Sequence, residues 1–313
     1  MLAKKIKALE IVEIKGWLNS EPLSLEKLRG KVVLLDFWTY SCVNCLRTLP
    51  ALKEIWEKYK DKNFMLIGIH TPEFEFEKEL ENVKNAVKRN SIEYPVANDP
   101  ERVNWNRYGN RYWPRAALIN SNGELIFDHV GESGYDDIDA RIIAELKKIG
   151  EVKDTEGIKE QKRAHHFGVS PEIYAGSLRN EGIGSSQVCT PDGCDVYKDQ
   201  GDYKMNVIYL EGEWVQKPEF VEFVKGKGYI IFKFYASEVN VVMDGSGNAV
   251  VFLNGKPLTK LNSGSDVKFR GKKSYVGVEG AGMYNIIRKK DFAEGELKIE
   301  AFKGMRVYAY TFG

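Results

Sequence analysis

Two cysteines separated by two residues, Cys42 and Cys45, are the side chains whose types and spacing point most directly to chemistry. At the start of a helix, thiols at this spacing can close a small disulfide. The first thiol then faces the unpaired N–H groups and the positive end of the helix dipole, which favours its thiolate. The second thiol, one turn into the helix, is shielded and placed to attack a mixed disulfide formed by the first. The motif therefore predicts thiol–disulfide exchange.

The elements expected around the cysteines form a β-α-β unit. Continuous apolar runs at residues 32–38 and 64–69 predict strands buried on both faces of a sheet, and between them apolar residues recur every three or four positions. A CxxC within such a unit is typical of redox motifs. The alternatives are a pair of core thiols and half of a zinc site. Zinc would need four ligands, and the other cysteines and the four histidines lie far along the chain, so no metal site is predicted here.

The remainder of the first half continues the alternation of strands and helices. A helix is expected over residues 76–87, a hairpin over residues 115–127 with an Asn-Gly turn, and a last helix over residues 138–149. Asp136 or Asp137 is the expected cap of that helix, and Gly150 is its expected end. The acidic run over residues 73–81 is expected to be a solvated helix face.

The pattern changes after residue 150. Residues 151–202 lose periodicity and carry Gly, Ser, Asp and charge, which predicts a linker and lead-in segment between two domains. From residue 203 the period becomes two, in strands separated by Asp-Gly, Asn-Gly and Lys-Gly turns. We therefore expect an α/β domain over residues 1–150 and an all-β sandwich, jelly-roll-like, over residues 203–313.

Composition excludes several classes of protein. The 313 residues carry 46 Lys and Arg against 45 Asp and Glu, a net charge of +1, so no basic face for nucleic acid is expected. No apolar run approaches the roughly 18 residues of a membrane span, and the N-terminus has no apolar segment of a secretory signal. The chain as written is thus expected to be cytoplasmic, and extracytoplasmic if a leader has been removed.

Longer motifs around these residues resemble the thioredoxin superfamily, and more narrowly the DipZ-type and TlpA-like thiol:disulfide oxidoreductases. They are DFWTYSCVNCLRTLP (36–50), HTPEFEFE (70–77) and YGNRYWP (108–114), with looser similarity in PEIYAG (171–176), LEGEW (210–214) and YTFG (310–313). The resemblance implies a thioredoxin-like fold followed by a β-sandwich similar to carbohydrate-binding modules. It also implies exchange with a disulfide-containing protein substrate and an upstream thiol donor, without a cofactor.

The resemblance implies a role for each residue of the motif. Cys42 becomes the nucleophile, Cys45 the resolving thiol, and Asp36 the acid beneath the disulfide. A carboxyl in an apolar strand should have a raised pKa and can relay the proton that Cys45 loses. The alternative for Asp36 is an exposed residue at a strand edge. Reductase is the expected direction of exchange.

The family resemblance places the substrate-contacting residues on both sides of the cysteines. Trp113 and Pro114 match the family's cis-proline site, whose backbone pairs with an extended substrate strand. Tyr40, Val43 and Asn44 are expected to complete the contact surface. The alternative for Pro114 is an ordinary proline at a strand entry. Trp38 is a further candidate for this surface, and packing in the core is the alternative for it.

A second cysteine pair, Cys189 and Cys194, encloses a Pro-Asp-Gly turn that brings the two sulfurs close. A structural disulfide is the first interpretation. A second redox pair, a free reduced pair, and a zinc site completed by His165 and His166 are the alternatives.

Two other functions compete with disulfide exchange. Thr39 and Cys42 form a TxxC as in peroxiredoxins, although Leu35 stands where a proline is expected, so a peroxidase is one alternative. The other is a glycan- or protein-binding module on an incidental thioredoxin scaffold. Its sugar-stacking platform would consist of aromatic residues of the second domain, namely Tyr275, Tyr284, Tyr308 and Tyr310.

Overall fold

The computed structural model describes residues 6–153, 155–159, 167–190 and 193–313. The chain divides into two compact units, Met1–Ala164 and His165–Gly313. The stretch expected to be a linker, residues 151–202, contains three strands of the second unit (β8, Ile173–Tyr174; β9, Ser186–Thr190; β10, Gly193–Lys198). Among the described residues, no helix combines the length and the apolar character needed to cross a membrane.

The first unit is a sheet of seven strands with helices. Its strands are β1 (Ile6–Lys7), β2 (Gly16–Leu18), β3 (Val32–Trp38), β4 (Phe64–His70), β5 (Val96–Asn98), β6 (Arg115–Ile119) and β7 (Glu124–Val130). Its helices are α1 (Val43–Tyr59), α2 (Leu80–Arg89), α3 (Val103–Arg107) and α4 (Tyr135–Lys148), with a 3₁₀ turn at Glu75–Lys78. The strand order is β1-β7-β6-β3-β4-β5-β2, with β3 parallel to β4 and antiparallel to β6.

Strand β3 is central because all seven of its residues are buried. Successive side chains of a strand point to opposite faces, and β3 supplies apolar residues to two separate hydrophobic clusters. Leu34 and Trp38 join the cluster that contains α1, whereas Leu35 and Phe37 join the cluster on the other face. Asp36 lies between Leu34 and Trp38 in this alternation, so its carboxyl belongs to the α1 face.

Helix α1 packs along this face through one apolar stripe. Leu49, Leu52, Ile55 and Tyr59 are buried, at the spacing of three and four residues that the sequence predicts. The helix continues through Pro50 to Tyr59. The apolar stripe therefore fixes the helix against β3 and sets the position of its first turn.

The hairpin of β6 and β7 confirms the prediction for residues 115–127, but the start of α4 differs from the prediction. The cap of α4 is Gly134, with φ of 85°, and Asp136 and Asp137 lie inside the first turn. A positive φ is accessible to glycine at little cost, and carboxylates in a first turn complement the helix dipole. The helix ends before Gly150, which has φ of 78°.

The second unit is formed by strands, and no helix occurs among its described residues. After β8 to β10 its strands are β11 (Tyr209–Gln216), β12 (Val221–Asp244), β13 (Ser246–Leu253), β14 (Lys256–Pro257), β15 (Val267–Arg270), β16 (Lys273–Glu279), β17 (Gly282–Glu300) and β18 (Arg306–Phe312). The named strands pair antiparallel throughout. The architecture is a β-sandwich, as predicted.

Strand β12 explains how one sheet encloses a core. It is 24 residues long and joins two strands that the sequence predicts separately. Val221 near its start and Met243 near its end both pair with Val307 of β18, so the strand bends back toward the same partner. The enclosed cluster includes Trp214 and Phe232. Tyr284, Tyr308 and Tyr310 are also buried, so these rings do not form an exposed platform.

Candidate active site

The two cysteines lie at the start of α1, a few residues after the C-terminal end of the central strand β3. Cys42 is the N-cap residue, with φ of −85° and ψ of 114°, and its sulfur accepts a hydrogen bond from the backbone N–H of Cys45 at 3.3 Å. Both cysteines are free thiols. Cys42 is half-buried, whereas Cys45 is completely buried. The thiol at the helix cap is therefore open to a partner, and the second thiol is shielded behind it.

The environment of Cys45 keeps its thiol protonated. The pKa of Cys45 is raised well above its ordinary value, and burial is the largest cause. The hydrogen bond with Cys42 and the charges of Cys42 and Asp36 raise it further. A backbone hydrogen bond from Thr39 acts in the opposite direction. For Cys45 to act as a nucleophile it must lose its proton to a nearby acceptor.

Asp36 is the acceptor that the sequence predicts. It is fully buried in the middle of β3, beside Gly68 of β4 and Ala116 of β6, so the strand-edge alternative is wrong. Burial raises the pKa of Asp36 from 3.8 to about 7. Within the described residues, neither of its carboxylate oxygens has a hydrogen-bond partner. A carboxyl with this pKa exchanges a proton readily near neutral pH.

Two tyrosines share the buried environment of Asp36. Tyr94 and Tyr135 are fully buried, and the pKa of each hydroxyl is raised first by burial and then by the charge of Asp36. The Cβ of any residue replacing Gly68 would lie 3.0 Å from Trp38 Nε1 and 3.1 Å from the Tyr94 ring. The rings of Trp38 and Tyr94 thus cover the strand next to Asp36 and exclude bulk water from this side.

The Trp113–Pro114 peptide bond is cis. Phe37 of β3 pairs antiparallel with Arg115 of β6, so Trp113 and Pro114 lie beside the C-terminal end of β3. Trp113 packs against the same hydrophobic cluster as Cys42. The Trp113 ring stacks on Trp105 with centroids 4.1 Å apart. This stack holds Trp113 near the C-terminal end of β3, after which the chain continues to the two cysteines.

The remaining residues predicted to contact substrate differ in accessibility. Tyr40 and Val43 are only 6% and 7% exposed, and the Tyr40 ring stacks on His70 with centroids 5.3 Å apart. Asn44 is exposed and accepts a hydrogen bond from Arg47 at 3.2 Å. The contact roles of all three residues stay predictions, with Asn44 the most accessible of them.

His70 ends β4 in a buried position. Burial lowers the pKa of His70 from 6.5 to about 3, so the imidazole is neutral at physiological pH. Its Nε2 lies 3.4 Å from the Thr39 hydroxyl, and its ring meets Trp38 edge to face. These contacts are those of a packing residue.

A buried acid, which its acidic sequence neighbours predict to lie on a solvated face, lies close to the thiols. Glu77 is fully buried, so the expectation of a solvated face is wrong for this residue. Its Oε1 accepts hydrogen bonds from the Thr39 and Ser41 hydroxyls, each at 2.6 Å, and from the Ser41 N–H at 3.2 Å. Burial and then Glu73 raise its pKa, while the hydrogen bonds from Ser41, Thr39 and Phe74 lower it.

The second cysteine pair belongs to the other unit. Cys189 is disulfide-bonded, while the side chain of Cys194 lies outside the described residues, as do His165 and His166. Within the part of the chain that is described, no group of three or more His, Cys, Asp or Glu is arranged to hold a metal ion.

Comparison with known proteins covers both units. Residues 30–125 match the family described as thioredoxin-like, and residues 170–313 match the family described as the thioredoxin-like C-terminal domain. Protein DipZ of Mycobacterium bovis is 29% identical over 98% of this chain, which spans only 43% of DipZ. The thiol-disulfide oxidoreductase ResA of Bacillus anthracis is 30% identical over 42% of this chain and 71% of ResA.

A solved structure gives a further similarity. A putative thiol:disulfide interchange protein DsbE from Chlorobium tepidum is 26% identical, over 47% of this chain and 99% of that protein, with a TM-score of 0.41. The family matches, the ResA similarity and the CxxC at the start of α1 agree, and the chain belongs to the thiol:disulfide oxidoreductases of the thioredoxin superfamily.

Proposed function

We propose that this chain reduces disulfide bonds in protein substrates through Cys42 and Cys45. The observation that carries the proposal is the contrast between the two thiols, since Cys42 is accessible at a helix cap and Cys45 is fully buried one turn later. Attack on a large substrate needs the accessible thiol, and release of product needs a second thiol that outside disulfides cannot reach. The arrangement meets both requirements.

The proposed cycle conserves electrons and protons. The Cys42 thiolate attacks a substrate disulfide, which forms a mixed disulfide and releases one substrate sulfur as a thiolate. Cys45 passes its proton to Asp36 and attacks the Cys42 sulfur, which forms the Cys42–Cys45 disulfide and releases the second substrate sulfur as a thiolate; the proton on Asp36 then passes to that thiolate or to water. Two electrons have then moved to the substrate, and an upstream dithiol donor supplies two more to the Cys42–Cys45 disulfide and is itself oxidised to a disulfide.

The charges around the thiols support the reducing direction. A strong oxidant requires a stabilised thiolate in its reduced form. Here the first cation along α1, Arg47, forms an ion pair with Glu132 at 3.3 Å, and two acids, Asp36 and Glu77, are buried beside the motif. These groups give the Cys42 thiolate little stabilisation beyond the helix terminus, which favours electron donation.

The second unit is proposed to dock partners or present substrates, with Cys189 and Cys194 as a structural disulfide. The domain division proposed from the sequence, at residues 150 and 203, assigns the catalytic residues to the first domain. The DipZ similarity extends over both units, which supports their working in one protein.

Insulin reduction with dithiothreitol as donor tests the proposal. We expect Cys42→Ser to abolish turnover and Cys45→Ser to accumulate a mixed disulfide visible on a non-reducing gel. The double variant Cys189→Ser with Cys194→Ser is the matched control and should keep its turnover. If Cys45→Ser retained full multi-turnover activity, the resolving role would be wrong. A Cys42–Cys45 potential more oxidising than the glutathione pool would contradict the reducing direction.

A further inference from the structure

Glu77 connects two segments of the first unit through five hydrogen bonds. Its Oε1 accepts the three donors of Thr39 and Ser41, and its Oε2 accepts the backbone N–H groups of Glu73 at 2.5 Å and Phe74 at 3.0 Å. The first group of donors lies directly before Cys42, and the second lies at the start of the Glu75–Lys78 turn. A fully buried carboxylate with five donors is a costly feature that packing alone does not require.

The segment between β3 and Cys42 is held by contacts with Glu77 and with His70. The Thr39 hydroxyl donates to Glu77 and lies 3.4 Å from His70 Nε2, while the Tyr40 ring stacks on the imidazole. Ser41 donates to Glu77 through both its N–H and its hydroxyl. Each residue from 39 to 41 therefore has a side-chain contact that restricts its conformation.

This restriction reaches the thiol that follows. Cys42 accepts the Cys45 N–H at 3.3 Å only while its backbone keeps the extended conformation of an N-cap, with ψ of 114°. The backbone leading into that cap is the one that Glu77 holds. Oxygen Oε1 serves three donors and Oε2 serves two, so both oxygens must be acceptors, a requirement that a carboxylate meets and an amide does not.

We propose that Glu77 is a positioning residue for the nucleophile, which fixes residues 39–41 so that the Cys42 sulfur stays aligned with the helix N-terminus. The inference rests on the role of Cys42 in the proposed function. Glu77 touches neither substrate nor sulfur, and acts through Thr39 and Ser41.

Alignment and charge predict opposite effects when Glu77 is replaced by glutamine. Removal of a nearby negative charge would favour the Cys42 thiolate and speed its alkylation. Loss of alignment would instead withdraw the hydrogen bond and the helix dipole from the sulfur, and alkylation would slow. The sign of the change therefore separates a positioning role from a purely electrostatic one.

The experiment measures the rate of Cys42 alkylation by iodoacetamide against pH in the reduced full-length chain, with peptide mapping to identify the modified cysteine. We expect Glu77→Gln to slow alkylation at neutral pH by about tenfold, the equivalent of one lost hydrogen bond to the thiolate. Ser41→Ala keeps the carboxylate and removes one donor, so it should slow alkylation in the same direction by less. The matched control is Glu75→Gln, an exposed acid two residues away, which should leave the rate unchanged.

Unchanged or faster alkylation in folded Glu77→Gln would overturn the inference. If Glu77→Gln does not fold, as judged by near-ultraviolet circular dichroism, Ser41→Ala decides the question by the same criterion. Insulin reduction by the unmodified chain is measured in parallel. Failure of the unmodified chain to reduce insulin removes the proposed function, whereas normal reduction with an unaltered Glu77→Gln profile removes only the positioning role.

Discussion

Replacement of Asp36 by asparagine tests whether burial raises the pKa of this carboxyl toward neutrality, as the proposed exchange of a proton with Cys45 near neutral pH requires. Burial raises the pKa of Asp36 from 3.8 to about 7. Between these values the native protein holds a proton that the unfolded chain has already lost. Asparagine has nearly the same shape and does not titrate. The free energy of unfolding of the variant therefore lacks the pH dependence that Asp36 contributes, and any difference in packing is nearly independent of pH.

The size and sign of the effect follow from the two pKa values. A separation of about three pH units at about 1.4 kcal/mol each corresponds to ~4 kcal/mol in the free energy of unfolding. The native state binds more protons than the unfolded state in this window, so the contribution of Asp36 to stability is full below pH 4. It falls as the pH rises toward 7 and is constant above. Asp36→Asn should therefore gain ~4 kcal/mol relative to the unmodified chain between pH 4 and pH 8.

Labelling of Cys45 gives an assay specific to the first unit. Cys45 is fully buried, so a short pulse of a fast thiol reagent modifies it only in unfolded molecules. The modified fraction, measured by mass spectrometry across a urea series of the reduced protein, gives the unfolding free energy at each pH. Asp137→Asn is the control because Asp137 is a mostly exposed acid of α4. If the difference between Asp36→Asn and the unmodified chain stayed constant from pH 4 to 8, the raised pKa would be refuted and the proton-acceptor role would lose its basis.

Two further predictions use the same protein. Because burial lowers the pKa of His70 from 6.5 to about 3, His70 contributes stability that is present above pH 6.5 and lost as the pH falls toward 3. His70→Gln should lack that loss in the same urea series, and equal pH slopes in the two proteins would contradict it. Hydrogen peroxide turnover with a dithiol donor should be far slower than disulfide exchange, since a resolving cysteine three residues away suits exchange. A stoichiometric reaction of Cys42 with peroxide that outpaced exchange would favour the peroxidase alternative instead.

Local patterns predicted the parts of the fold that local forces determine. The runs that became β3 and β4 are buried on both faces, and the Asn-Gly turn places the β6–β7 hairpin correctly. Strands β1 and β2 have two and three residues, and they exist only because a neighbouring strand accepts them at the sheet edge. Such short elements have no periodicity of their own, so they were not predictable.

The same distinction applies to the candidate site. Cys42 and Cys45 are a local motif, and the apolar neighbours of Asp36 in β3 indicated its burial. Glu77 was assigned to a solvated face because its sequence neighbours are acidic. Its burial depends on donors from Thr39 and Ser41, which lie 38 and 36 residues earlier in the chain. A contact of this range leaves no periodic signal in one sequence, although the phenylalanines on both sides of Glu75 were a warning that the run is not uniformly solvated.

Two buried carboxyls beside one dithiol thus have opposite environments, and the difference supports the two roles proposed for them. Asp36 has no hydrogen-bond partner among the described residues, so burial alone sets its pKa near 7, and it can gain or lose a proton without breaking a contact. Glu77 accepts hydrogen bonds from five donors. Protonation would convert one of its oxygens into an O–H donor that faces groups which are themselves donors. A group that exchanges protons should have few partners, and a group that holds a backbone should have many. If the environments were exchanged, donors around Asp36 would lower its pKa and make it a poor proton acceptor for Cys45. Without donors, Glu77 would no longer fix residues 39–41, the segment that leads to Cys42.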